Sequence, residues 1–266
     1  MAGAQARQPM DCGKGAPAPR GKRVLLPAFT LIELLVIVGI LVVLVALLMP
    51  AFAKSRRQAR VVGCLSNLRQ LQLAFTSYVT TNQKLPAFDS KEQGRWLATL
   101  RADSPGIGDC RLCPEAIAPS YGWGSAATAW GPYDSQKTPA KWMSFLRDES
   151  SSYGFNGWLQ DAPADLNASF LKPNAVNPQR IPVFADANWI EGFPTTFDAV
   201  PADLTRGAGF GEPSLGRFCI TRHGHSINSV YLDGHAEQIT LPRLWQLKWS
   251  ANFVPRMIRI PGEPPP

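Results

Sequence analysis

The chain has 266 residues, more than one average domain, and its 45% hydrophobic content is ordinary for a globular protein. Its formal charge of +7 is unevenly placed: residues 1–28 hold five Lys or Arg and one Asp, and the remainder holds 22 basic and 19 acidic side chains. A further basic cluster, Lys54, Arg56, Arg57 and Arg60, sits just past an apolar run, the pattern of a headgroup-facing or solvated helix turn, so nucleic-acid binding is not expected. In chain order, the basic start ends in Lys22 and Arg23, and an apolar stretch follows over residues 31–48. At 1.5 Å per residue its length is about 27 Å, and with Phe29, Thr30, Met49 and Pro50 it can cross a bilayer core of about 30 Å. One carboxylate, Glu33, lies inside it. A charge at that depth costs about 2.5–3.5 kcal/mol on insertion scales and calls for a partner. The partner expected here is a new α-amino group, made by cutting the chain between Ala28 and Phe29.

This junction resembles the class III leader of type IV prepilins and type II secretion pseudopilins: a basic leader, a small residue before the cut, Phe at the new N-terminus, Glu four residues on, then about twenty apolar residues. Ala28 stands where that family usually has Gly. Pro50, 21 residues after Phe29, agrees with the helix-kinking proline of many pilins. The resemblance implies a cleaved leader at 1–28, processing and methylation at Phe29 by a prepilin peptidase, and a transmembrane and assembly helix at 29–50. It also implies a single-pass position in a bacterial inner membrane with the head on the far side. The fold it implies is α+β, a pilin-like lollipop: one long helix packed on a loop-rich head with a small antiparallel sheet.

Past Pro50 the pattern becomes amphipathic. Val61, Cys64, Leu65, Leu68, Leu71, Phe75, Tyr78 and Val79 recur at three- and four-residue steps, which predicts that the helix continues over 51–82 with one packed face. Leu85-Pro86 ends it. The head is expected over 83–260, with strand cores at 152–159 and 181–184. Trp96, Trp123, Trp130, Trp142, Trp158 and Trp189 read as core fillers, with a carbohydrate-stacking surface as the functional alternative. Runs at 217–222, 226–232 and 235–240 predict an antiparallel meander, and Asp233-Gly234 is a type I′ hairpin signal. Leu244, Trp245, Leu247 and Trp249 predict a short segment that packs back on the head, and 261–266 reads as a disordered tail.

Cys12 falls in the leader, and Cys64, Cys110, Cys113 and Cys219 lie beyond it. In an exported head Cys110-Arg-Leu-Cys113 is spaced for a small disulfide loop. Zinc is the competing reading, weakened by the lack of a second pair at finger spacing. Cys64, on the apolar face of the helix, reads as a small core residue.

All three histidines, His223, His225 and His235, fall within 13 residues of one another, beside Asp233. His223, nine residues, then Asp233-Gly234 resembles the H-X9-DG motif of a large bacterial family of prepilin-like proteins. Cys113-Pro114, Ser152-Tyr-Gly-Phe-Asn-Gly157, Ile181-Pro-Val-Phe-Ala-Asp-Ala187 and Leu244-Trp-Gln-Leu-Lys-Trp249 agree with that family in order. The structural reading of the motif is a turn in which the Asp233 carboxylate accepts a hydrogen bond from His223 or a backbone amide. A divalent metal held by His223, Asp233 and His235 is the alternative; otherwise no cofactor is expected. Catalysis is not expected: Ser226 and Ser229 lack a G-x-S-x-G context, and there is no phosphate loop, dinucleotide fingerprint or H-E-x-x-H.

The expected function is that of a structural pseudopilin or minor-pilin-like subunit. Its expected partners are the prepilin peptidase, an inner-membrane assembly platform, membrane lipid and other copies or relatives of itself. Two alternatives stand beside it. One is a soluble exported binding protein with an ordinary signal peptide cut after Ala53, at Ala51-Phe-Ala53. The other is a membrane-anchored head that binds metal, with a hydrolase built on the histidine cluster as its enzymatic variant.

Overall fold

A single helix, α1, spans Leu31–Asn82 and runs from the apolar segment into the amphipathic one. The computed structural model describes residues 30–86, 95–138, 143, 146, 149–161, 177–260 and 262. The leader with Cys12 and the Ala28/Phe29 junction, Trp142, and most of the 261–266 tail lie outside the described residues. The chain divides into two compact units, Met1–Ala51 and Phe52–Pro266.

In the first unit α1 opens on a capping box. The Thr30 hydroxyl accepts the Glu33 backbone N–H at 3.2 Å, while the Glu33 carboxylate accepts the Thr30 backbone N–H at 2.9 Å and its hydroxyl at 2.8 Å. Every large apolar side chain from Leu31 to Met49 is exposed, so this stretch has no packed face; it is long and apolar enough to cross a membrane. Pro50 lies inside the helix.

In the second unit the same helix becomes one-sided. Val61, Cys64, Leu68, Leu71, Ala74, Phe75 and Tyr78 are buried, and Leu65 and Val79 are half-buried. The helix stops where Gln83 takes a left-handed φ of 54°, ahead of Pro86. A short helix, α2 (Arg95–Asp103), and a 3-10 turn at Pro105–Gly108 follow.

Five strands make the sheet: β1 (Tyr153–Asn156), β2 (Pro182–Asp186), β3 (Glu191–Gly192), β4 (Ser226–Tyr231) and β5 (Ala236–Thr240), in the order β3-β1-β2-β4-β5. All pairs are antiparallel except β1–β3, which is parallel, so the sheet is mixed and not the purely antiparallel one expected. Side chains of the inner strands alternate between two apolar clusters: Phe155, Phe184 and Val230 join the cluster that includes the α1 face, and Ala185, Ile227 and Tyr231 join the other. A register shift between Pro182 and Phe184 lets Val183 share the first cluster with Phe184. The 3-10 helix Leu241–Gln246 packs Leu244 and Trp245 into the second cluster, as expected, with Leu247 and Trp249 after it.

The predicted meander is corrected at its first member. Residues 217–222 are not a strand, because both edges of β4 are already taken, by β2 and by β5. Their backbone serves loops instead: the Arg217 carbonyl accepts the Asn188 N–H, and the Thr221 N–H goes to the Leu204 carbonyl. The hairpin forms, with different turn chemistry. Tyr231 N–H bonds the His235 carbonyl and Gly234 N–H the Tyr231 carbonyl, leaving a three-residue loop. Gly234 alone has positive φ, 91°, whereas a type I′ turn would also require it of Asp233. Trp96, Trp130, Trp158 and Trp189 are buried, and Trp123 stacks on Trp189 at 4.0 Å, so these residues fill core and do not form an open stacking surface.

Candidate functional site

The packed face of α1 carries one thiol, that of Cys64, with no exposure. Three other segments bring donors to it. Cys113 lies in the turn after the 3-10 segment Pro105–Gly108, and Asn67 of α1 secures that turn by donating its side-chain amide to the Leu112 carbonyl at 2.8 Å. Asp186 is the last residue of β2, brought inward by its pairing with Tyr153 of β1. His223 sits in the turn before β4, closed by Ser226, whose hydroxyl donates to the His223 carbonyl at 2.9 Å.

The four donor atoms lie within 4.8 Å of one another, and all four residues are buried. Cys64 Sγ is 3.7 Å from both Asp186 oxygens, Cys113 Sγ is 3.4 Å from His223 Nε2, and His223 Nε2 is 3.2 Å from Asp186 Oδ2. A second set of groups holds the first. The Tyr153 hydroxyl donates to Cys64 Sγ at 3.4 Å, and the Asn228 backbone N–H donates to Asp186 Oδ2 at 2.8 Å. The fully buried Arg222 guanidinium donates to Asp186 Oδ1 at 3.2 Å and to the carbonyls of Ser125, Ala126, Thr128, Ser152 and Ala187.

These contacts set the protonation. Burial by itself would hold the His223 imidazole down, but the Asp186 carboxylate and then Cys113 outweigh it and push it up to about 10. Burial likewise opposes ionisation of Asp186, and His223, Arg222 and the Asn228 amide together keep its carboxyl below the usual range. The hydrogen bond with Cys64 lowers the Cys113 thiol to about 7 against burial, with His223 and Arg222 acting in the same direction. Burial and the bond to Cys113 raise Cys64 well above an ordinary thiol. The pocket therefore holds one acidic thiol, one carboxylate and one basic imidazole in mutual contact. Sulfur, nitrogen and oxygen donors of this kind suit a transition-type divalent cation.

The residues singled out from sequence are divided by the structure. His223 reaches this buried group, but Asp233 and His235 do not: His235 Nδ1 pairs with Asp233 Oδ1 at 2.6 Å on the surface, and the His235 ring stacks on Tyr231 at 4.3 Å. The nine-residue spacing explains the division. It contains β4, whose six residues span about 20 Å, so His223 and Asp233 stand at opposite ends of one strand. Among the described residues no hydrogen bond or ion pair joins the two. The Asp233 carboxylate does accept a backbone amide, that of His235, at 3.2 Å.

The Cys110–Cys113 disulfide loop is not formed: both are free thiols. The turn sends them apart, Cys110 Sγ donating to the Ile107 carbonyl at 3.2 Å and Cys113 Sγ facing His223. Sequence reasoning missed Asp186, Arg222 and Tyr153, and read Cys64 as core only. The available signal was Ala185-Asp186-Ala187, a carboxylate closing an apolar strand, where burial demands a counter-charge. Cys113, Tyr153, Asp186 and His223 come from four separate segments of the sequence, and all four meet here. The chain matches no protein-family model, no curated protein and no solved structure, which leaves its functional reading to its residues and their geometry.

Proposed function

We propose that the protein is a structural subunit of the prepilin and pseudopilin type, cleaved between Ala28 and Phe29 by a prepilin peptidase and assembled with other pilin-like subunits. Residues 29–50 hold it in the inner membrane and form the assembly contact; the head carries no catalytic role. The observation that supports this most is the helix stretch Leu31–Met49, apolar on every side and exposed on every side, with Glu33 as its single charge. Lipid satisfies such a surface before assembly and neighbouring helices satisfy it afterwards. Intact-mass measurement and N-terminal sequencing of the membrane-extracted protein test it. A chain starting at Phe29, with an added methyl group, is the expected result; an uncut chain would contradict the processing route.

The capping box gives Glu33 a local role that competes with the inter-subunit charge pairing. Glutamine can complete a capping box without carrying charge, whereas alanine cannot. Under the assembly reading, Glu33→Gln keeps α1 capped and still abolishes filament or complex formation, as Glu33→Ala does, while leaving cleavage intact. Normal assembly of Glu33→Gln, scored by cross-linking in membranes, would leave only the cap as the carboxylate's function.

One observation favours the exported-protein reading as a second possibility: the buried residues of α1 begin at Val61. A chain cut after Ala53 would thus keep the whole packed face. The same N-terminal sequencing separates the two, since that route yields a soluble protein starting at Lys54.

A further inference from the structure

A tetrahedral zinc-class cation, with bonds of about 2.0–2.3 Å, separates its donor atoms by about 3.3–3.8 Å. Around the buried cluster three of the six donor separations are 3.7 Å from Cys64 Sγ to Asp186, 3.4 Å from Cys113 Sγ to His223 Nε2 and 3.2 Å from His223 Nε2 to Asp186 Oδ2, and all six lie within 4.8 Å, so a bound cation needs at most a small inward shift of the ligands. We propose that Cys64, Cys113, Asp186 and His223 form a four-coordinate binding site for a divalent cation of the zinc class, which ties α1 to the sheet from within. The site does not depend on how the N-terminus is processed, because all four ligands lie in the second compact unit.

Charge supports a dication here. Two thiolates and a carboxylate bring three negative charges; the cation and the adjoining buried Arg222 guanidinium bring three positive ones, and a neutral imidazole completes the set. Binding releases the proton of each thiol, and that of the imidazole when it is charged, to solvent. The outer contacts are those expected of metal ligands. Arg222 and the Asn228 amide fix the carboxylate, and the Tyr153 hydroxyl donates to the Cys64 sulfur. Calcium and magnesium are excluded by the sulfur and nitrogen donors, since both prefer all-oxygen shells. Four protein ligands at a fully buried position leave no coordination site for substrate, so the role is structural.

The test is made on full-length protein extracted from membranes in detergent without chelator and kept reduced. Elemental analysis is expected to find about one equivalent of zinc per chain, and exchange with cobalt(II) to give the intense visible bands of tetrahedral coordination with a thiolate-to-cobalt charge-transfer band. Cys113→Ser and Asp186→Asn should each lower cobalt affinity by at least tenfold, whereas Cys110→Ser, whose thiol faces the Ile107 carbonyl, should bind as the unaltered chain does. Should the ligand variants fail to fold, the charge-transfer band of the unaltered and Cys110→Ser proteins still decides, because it requires a coordinated sulfur. A chain with neither bound zinc nor a cobalt–thiolate band overturns the proposal. So does a Cys64–Cys113 disulfide in non-reducing peptide maps of a parallel sample extracted without reductant and with free thiols alkylated, or undiminished binding by a folded Cys113→Ser chain.

Discussion

Replacing Arg222 by alanine should lower the unfolding free energy by about 3–5 kcal/mol, the usual penalty for removing one partner of a buried ion pair. The Arg222 and Asp186 side chains are both fully buried, 3.2 Å apart. The guanidinium also satisfies five backbone carbonyls, from Ser125, Ala126, Thr128, Ser152 and Ala187, which belong to three different loops. Alanine leaves those acceptors dry and the Asp186 charge with one cation fewer. Lysine restores the charge but not the planar fork, so Arg222→Lys should recover only part of the loss. Denaturant unfolding of the detergent-extracted protein, followed by tryptophan fluorescence, reads the difference directly. A loss below about 1 kcal/mol for Arg222→Ala, the range of an exposed ion pair, would show that the pocket is wet and the pair solvated.

Phe155→Ala should cost a similar amount, about 3–5 kcal/mol, through a cavity. Phe155 is fully buried, with its ring centroid 5.7 Å from Phe75, 5.1 Å from Phe184 and 6.2 Å from Trp96. Those four rings come from β1, α1, β2 and α2, so one truncation loosens four elements of the first cluster at once. Phe155→Leu, which keeps most of the volume, should cost markedly less. The effect should also be local in its dynamics: amide hydrogen exchange across the packed half of α1 should accelerate in Phe155→Ala more than exchange in the β4–β5 hairpin, where Val230 joins the first cluster but Ile227, Tyr231 and Ile239 belong to the second. Equal acceleration in both would mean that the two clusters unfold as one unit.

Much of the architecture is legible in local patterning. The change from uniformly apolar to three-and-four periodicity beyond Pro50 marks the half of α1 that buries one face, which it does from Val61 to Tyr78. The short apolar runs at 152–159 and 181–184 locate β1 and β2, and Asp233-Gly234 locates the hairpin, since glycine supplies the one positive φ the turn needs. The run at 217–222 looks equally strand-like. Whether it pairs depends on a free sheet edge, which no local pattern reports.

The candidate site shows the same boundary more sharply. Three histidines close in sequence suggest a site among themselves, yet β4 carries His223 and Asp233 to opposite ends of a strand, and His223 instead meets Cys64, 159 positions before it, and Cys113, 110 positions before it. The amino-acid order alone determined where the membrane-length helix lies, which helix face packs, and where the turns fall, because those depend on neighbours within a few residues. Only the tertiary structure decided that Cys64, Cys113, Asp186 and His223 share one dry pocket. Sheet pairing and helix docking set that meeting, and a buried carboxylate tolerates it because Arg222 arrives in the same fold.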